Sequence, residues 1–322
     1  MDAMLVGTLL ASTLRVSVPL IFCALAGVIS ERSGVIDLGL EGKMLLTAFA
    51  TASVGAVSGS ITLALAAAIA VGIALSMLHG YACVSHGGDQ VVLGVAITMM
   101  AAGLTVVLGI AWFRMGGQTP PLAESVRLHA LFAAPALWLA QVPLLGPTLA
   151  LVLFGHNAFV YGAGMAVAAV WWLLYRTRFG LRLRATGENP NMVDAAGVSV
   201  KALRYQALAL NGVLCALAGS YLVLAMNPSF IPNMTAGRGF MALAAMIFGK
   251  WRPVGALWAC LLFGFLDAAS IRLQGVTLPF LGQVPVQAIQ ALPYVMTVVL
   301  LAGFIGQAVA PKALGRPYVK ER

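Results

Sequence analysis

The side chains in this sequence that could do chemistry are few. Asp37 and Glu41 stand in Gly34–Gly42, a stretch with glycines at 34, 39 and 42 inside otherwise apolar sequence. Glycines permit a non-helical bend, which membrane depth tolerates only where it is packed or lines a cavity. A carboxylate at such depth is a functional candidate by default; an ordinary interhelical loop is the alternative. Asp267 is the one acid inside a clear apolar run, and Arg272, five residues on, is a poor helical match for it. Its expected partner is therefore on another helix. Amides occur in or near apolar runs at Gln90, Asn157, Asn211, Gln283, Gln287 and Gln290. The last three follow i, i+4, i+7 spacing and share one helix face, where they could hydrogen-bond a polar solute or act as interhelical glue.

Covalent and metal chemistry find little support. The four histidines form no HxxxH or Cys/His grouping. Cys23, Cys83, Cys215 and Cys260 each lie in an apolar run and read as small buried residues. No phosphate loop, Gly-x-Ser-x-Gly or His-Glu-x-x-His motif is present, so no ATP site of that kind and no cofactor is expected in this chain. A ladder of arginines such as a voltage sensor needs is also absent.

The elements that must position these groups follow from composition. Of 322 residues 61% are hydrophobic and only 9% charged, against about 25% charged in an ordinary soluble domain. This excludes a soluble enzyme, a disordered chain and a coiled coil. An all-α polytopic transmembrane bundle is expected, one domain over 1–322, with about 8–10 spans including broken or re-entrant segments. Apolar runs cover 5–29, 43–60, 61–84, 91–113, 148–175, 205–226, 237–249, 253–272 and 284–306. Run 237–249 would rise only about 20 Å as a helix and is expected to be a half-span. Gly55 and Gly59, four apart, would let helices approach closely.

The net charge is +9, and twelve of the nineteen basic residues sit in three places: residues 176–204, Lys250 with Arg252, and the tail from Lys312. Cytoplasmic loops collect Lys and Arg, so all three are placed inside, and no nucleic-acid partner is inferred. Trp171, Trp172 and Tyr175 beside the first cluster suit an interface. The long segment 114–147 is placed outside, with Leu131–Leu139 along the membrane surface. The side of 30–43, with three acids and two bases, is left open. No basic n-region precedes the first run, so a cleaved signal peptide is not expected.

The loop about 176–204 is the most informative segment. Asn189 can cap a helix that Pro190 begins, and Gly197 can end it. Ser199 can cap the next span. A short helix lying between two spans, with glycine elbows at Gly187 and Gly197, would dock a cytoplasmic partner; a solvated loop with anchoring charges is the alternative.

Four stretches carry a resemblance: Glu31–Gly42, Asp89–Gly94, Tyr175–Pro190 and Thr235–Lys250. With them, roughly 10–306 resembles the inner-membrane permeases of bacterial ABC importers, in the nucleoside and simple-sugar branch related to ribose and branched-chain amino-acid permeases. The resemblance implies purine nucleosides as favoured solutes, with a simple sugar such as ribose as the alternative. It implies a coupling role for Arg182, Arg184, Gly187, Glu188, Asn189, Pro190, Asp194 and Gly197. It also implies partners: a separate ATPase chain, a second, longer permease and an extracytoplasmic solute-binding lipoprotein, all around a subunit seated in membrane lipid. Asp37, Glu41, Gln90, Asn211, Asp267 and Gln287 are the candidates for the solute pathway or for bends beside it. An ion-coupled secondary transporter built on Asp37 and Asp267 is the competing class.

Overall fold

The computed structural model describes residues 3–132, 146–273 and 308–320, with a few isolated positions between them. Eleven helices are described. They are α1 (Ala3–Arg32), α2 (Leu40–Ser58), α3 (Ile61–Gly80), α4 (Gln90–Phe113), α5 (Gly146–Leu153) and α6 (Ala158–Arg176). The rest are α7 (Arg178–Glu188), α8 (Pro190–Ala195), α9 (Val200–Tyr221), α10 (Arg238–Phe248) and α11 (Pro253–Leu273). Apart from a two-residue antiparallel pairing of Thr277–Leu278 with Gly282–Gln283, the described fold is helical, as the composition requires.

Among the described residues six helices are long and apolar enough to cross a membrane: 4–32, 61–85, 90–113, 158–176, 200–226 and 253–272. Two of them, α3 and α9, finish in a π-helical turn. The chain is thus a multi-pass helical membrane protein. Run 284–306, with Gln287 and Gln290, lies outside the described residues, as does most of Leu131–Leu139. The expected unbroken span 148–175 is corrected. It is interrupted between α5 and α6, where the Asn157 side chain accepts from the Val160 amide and starts α6 afresh.

Helix α2 forms the middle of the bundle and packs against α3, α4 and α9; α1 packs against α9, α10 and α11. Small residues set the approach distances. A side chain at Gly72 would lie 2.3 Å from the Gly212 carbonyl oxygen, so α3 and α9 cross backbone against backbone. Gly59 works differently from the expected close packing. It has φ +63° and open space around it, and it ends α2 as a left-handed cap. All four cysteines are free and buried in the apolar interior.

Residues 33–39 leave the helical path and are largely buried, in line with the glycine-permitted bend. Helix α10 has 11 residues and rises about 16 Å, roughly half of the hydrocarbon thickness. It therefore begins inside the bundle, as a half-span does.

The open question of residues 30–43 is settled by contacts at one end of the bundle. The Ala313 amide donates to the Gly187 carbonyl (2.8 Å), and the Gly315 amide to that of Gly34 (3.1 Å). Arg32 Nε donates to the Trp251 carbonyl at 2.9 Å. The three basic clusters and the turn after α1 therefore share one face, which the basic excess makes the cytoplasmic one.

Candidate functional site

Two arrangements carry the polar groups. The first is buried at mid-depth. Lys43 Nζ donates to Asp37 Oδ2 at 2.6 Å and to Asn211 Oδ1 at 3.0 Å. His79 Nδ1 stands 3.3 Å from Asp37 Oδ1, which also accepts from the Gly39 amide at 3.0 Å. Ser76 Oγ donates to Asn211 Oδ1 (3.1 Å), and Asn211 Nδ2 donates to the Ala26 carbonyl (3.1 Å). Asp37, Lys43, Ser76, His79 and Asn211 are all fully buried. Asn211 lies eleven residues past Val200, about 16 Å along α9.

This cluster joins the bend, α1, α2, α3 and α9. The Gly72–Gly212 crossing brings it together, because it sets Ser76 one turn from the contact and Asn211 beside it. A charge pair without water is held only where its remaining hydrogen-bonding groups are also met. Here Asn211 and the Gly39 amide do that. Asp37 and Asn211 belong to one constellation. Lys43 and His79 complete it; in the sequence Lys43 is only one of the nearly balanced charges of residues 30–43, and His79 belongs to no motif.

Glu41 has a separate role. Its two carboxylate oxygens accept from the Gly237 amide (2.9 Å) and the Gly239 amide (2.6 Å). A carboxylate there meets the free N–H groups and the positive end of the α10 dipole. Gly237, at φ +80°, turns the chain into the helix. Gln90 fastens the bend from the other side by accepting from the Ile36 amide at 2.7 Å. Asp267 is half-buried, and no described residue forms an ion pair with it, so the expected partner on another helix is not found among the described residues.

The second arrangement is the inner-face elbow. Asn189 Oδ1 accepts from the Met192 amide (3.2 Å), Pro190 opens α8, and Gly197 leaves it at φ +79°. Ser199 Oγ then caps α9 through the Ala202 amide. The cap–proline–glycine reading holds, with one correction. Gly187 is no elbow: it lies within α7, and a side chain on it would meet the Arg32 carbonyl oxygen at 2.3 Å. Its smallness lets α7 lie directly on the turn after α1.

Of the remaining candidates, Arg182 and Glu188 are exposed, and Asp194 faces Lys320 at 3.7 Å. Arg184 turns back over the Tyr175 ring, its guanidinium carbon 4.8 Å from the centroid. Val193 is buried against Val200 and Leu203, while Met192 is 70% exposed. Glu188, Asn189 and Pro190 line a groove of about 510 Å³ against Lys312, Arg316 and Tyr318 of the C-terminal segment. Arg204, fully buried, donates to the carbonyls of Ser33 and Arg316, both at 3.3 Å, and so ties that segment to the bend.

Residues 9–304 match the family described as branched-chain amino acid transport system / permease component. The chain belongs to this family. Among its relatives, a nucleoside ABC transporter permease, NupC of Lactococcus lactis, is 36% identical over 98% of this permease and 97% of NupC. A guanosine ABC transporter permease, NupQ of Bacillus subtilis, is 36% identical over 96% of this chain and 95% of its own. TsgC13 of Haloferax volcanii, whose name provisionally assigns it to glucose, is 34% identical over 91% and 90%. The permease is a transport subunit. Among its described residues no group of three His, Cys, Asp or Glu could hold a metal ion.

Proposed function

We propose that this permease forms part of the translocation pathway of an ABC importer for nucleosides, purine nucleosides above all, in a bacterial inner membrane. Similarity to NupC and NupQ over nearly the whole chain supports the solute class. The structural observation that carries the mechanism is the continuity from the cytoplasmic elbow to the bundle centre. Helix α7 lies backbone-on-backbone against Arg32 and Gly34, and three residues beyond Gly34 the same bend delivers Asp37 to the buried cluster.

A separate ATPase chain docks on the elbow, with Met192 and the groove beside Glu188, Asn189 and Pro190 as its footing. Arg182, Arg184, Gly187, Asp194 and Gly197 hold that footing in place or border it. Closure of the ATPase displaces α7 and α8, and the turn after α1 moves with them. The bundle thereby changes between two packings, and the solute passes between this subunit and a second, longer permease. An extracytoplasmic lipoprotein delivers the solute. No bond of the solute is made or broken.

The test is uptake of radiolabelled guanosine by vesicles that hold this permease, its ATPase, the second permease and the lipoprotein. Uptake should need ATP and survive a protonophore. Ribose and glucose in excess should compete poorly. Guanosine uptake by the permease alone, or its abolition by the protonophore with ATP still present, would overturn the proposal in favour of ion coupling.

A further inference from the structure

At the inner membrane edge a cavity of about 630 Å³ opens between α1, α6, α7 and α11. Three arginines from three different elements line it: Arg32 at the end of α1, Arg184 on α7 and Arg252 before α11. No acidic residue lines it. Glu31 is turned away and accepts from Trp251 Nε1. Arg32 spends its Nε on the Trp251 carbonyl. Arg184 Nε is buried with no hydrogen-bond partner, and the Arg252 guanidinium makes no hydrogen bond or ion pair with a described residue. Glu188 acts on Arg32 from outside the lining, so three like charges meet in the cavity with no carboxylate among its walls, which suits an anion from outside the chain.

The apolar rim says what carries that anion. Trp171 (39% exposed) and Trp258 (68% exposed) flank the opening on α6 and α11, with Val254 (45% exposed) beside them. Tryptophan belongs at the headgroup level, where its ring meets acyl chains and its N–H meets water. Basic pockets between spans on the cytoplasmic side suit anionic headgroups. We propose that this cavity binds the phosphate group of an anionic phospholipid of the inner leaflet. Arg184 and Arg252 hold the phosphate oxygens, and the acyl chains lie along Trp171 and Trp258. Because Arg184 stands on α7, the bound lipid braces the elbow against α1 and α11.

Brominated phosphatidylglycerol, with brominated phosphatidylcholine as the neutral control, tests this in vesicles holding the full-length permease. Tryptophan fluorescence should be quenched at several-fold lower mole fraction of the anionic lipid. Arg184→Gln and Arg252→Gln should each weaken that preference about fivefold, the effect of one basic residue near a lipid surface. Arg178→Gln, exposed on α7 and outside the cavity, should leave it unchanged. Should the glutamine variants fail to fold, the Arg184→Lys/Arg252→Lys pair keeps the charge and should keep the preference; loss of the preference in a folded lysine pair overturns the proposal. Equal quenching by the two lipids, or a preference that survives both glutamine changes, also overturns it. Inorganic phosphate that relieves the quenching as well as unbrominated phosphatidylglycerol does would assign the cavity to a free phosphate and overturn the lipid assignment.

Discussion

Asn211 holds the Lys43 ammonium at 3.0 Å with its side-chain oxygen while its amide nitrogen grips the Ala26 carbonyl at 3.1 Å. One neutral side chain on α9 thus spans α2 and α1, and it also orients the ammonium toward Asp37. Asn211→Leu removes both contacts and leaves Ser76 and Lys43 each short of an acceptor.

The Asp37–Lys43 pair should behave as a buried charge pair does. Asp37→Asn alone leaves the ammonium without its counter-charge and should cost about 3–5 kcal/mol. Combining it with Lys43→Met should restore most of that. The measurement is the midpoint of SDS-induced unfolding for the purified permease. A double variant as unstable as the single would show that the charges are not what the site balances.

Glu41 should matter locally. Glu41→Ala frees the Gly237 and Gly239 amides and should destabilise the start of α10 by about 1–2 kcal/mol. Hydrogen exchange over residues 237–241 should quicken while exchange in α3 stays as it was. Uniform change across the bundle would contradict a capping role.

The α3–α9 crossing should tolerate no side chain. Gly72→Leu would drive a Cβ into the Gly212 carbonyl oxygen, 2.3 Å away, whereas Gly103 has open space around it. Gly72→Leu should lower the thermal midpoint sharply, and Gly103→Leu should leave it within error. A reversal of that order would refute the crossing.

Gly197, which ends α8, and Gly187, inside α7, should separate. Gly197→Ala meets no atoms and pays only for its left-handed backbone, about 1–2 kcal/mol. Gly187→Ala must push α7 off Arg32 and should uncouple ATP hydrolysis from guanosine uptake in the reconstituted complex. The ratio of the two rates measures this, and an unchanged ratio for Gly187→Ala would sever the elbow from transport.

The sequence made the local features readable. Cap, proline and glycine at Asn189, Pro190 and Gly197 act over a few residues, so their chemistry is written in order along the chain. The half-span α10 was visible in its length, and the bend at 34–39 in its glycines. What escaped needs distant partners. Lys43 and His79 become a site only when α2 and α3 are packed, and nothing near His79 in sequence marks it. The side of residues 30–43 was hidden because their charges nearly balance, and the bonds of Gly34 with Gly315 and of Arg32 with Trp251 decided it. The interruption before α6 left a trace, Asn157 as a cap, but the apolar residues around it masked the break.

The bonds from Ala313 and Gly315 to Gly187 and Gly34 order events during synthesis. The elbow and the turn beneath it are made well before these amides, so two of their carbonyls stay open until residues 313 and 315 have been added. The groove beside Glu188, Asn189 and Pro190 is thus closed only by a segment that follows α11 in the chain, so a subunit cut short of residue 313 would lack that wall of the proposed footing.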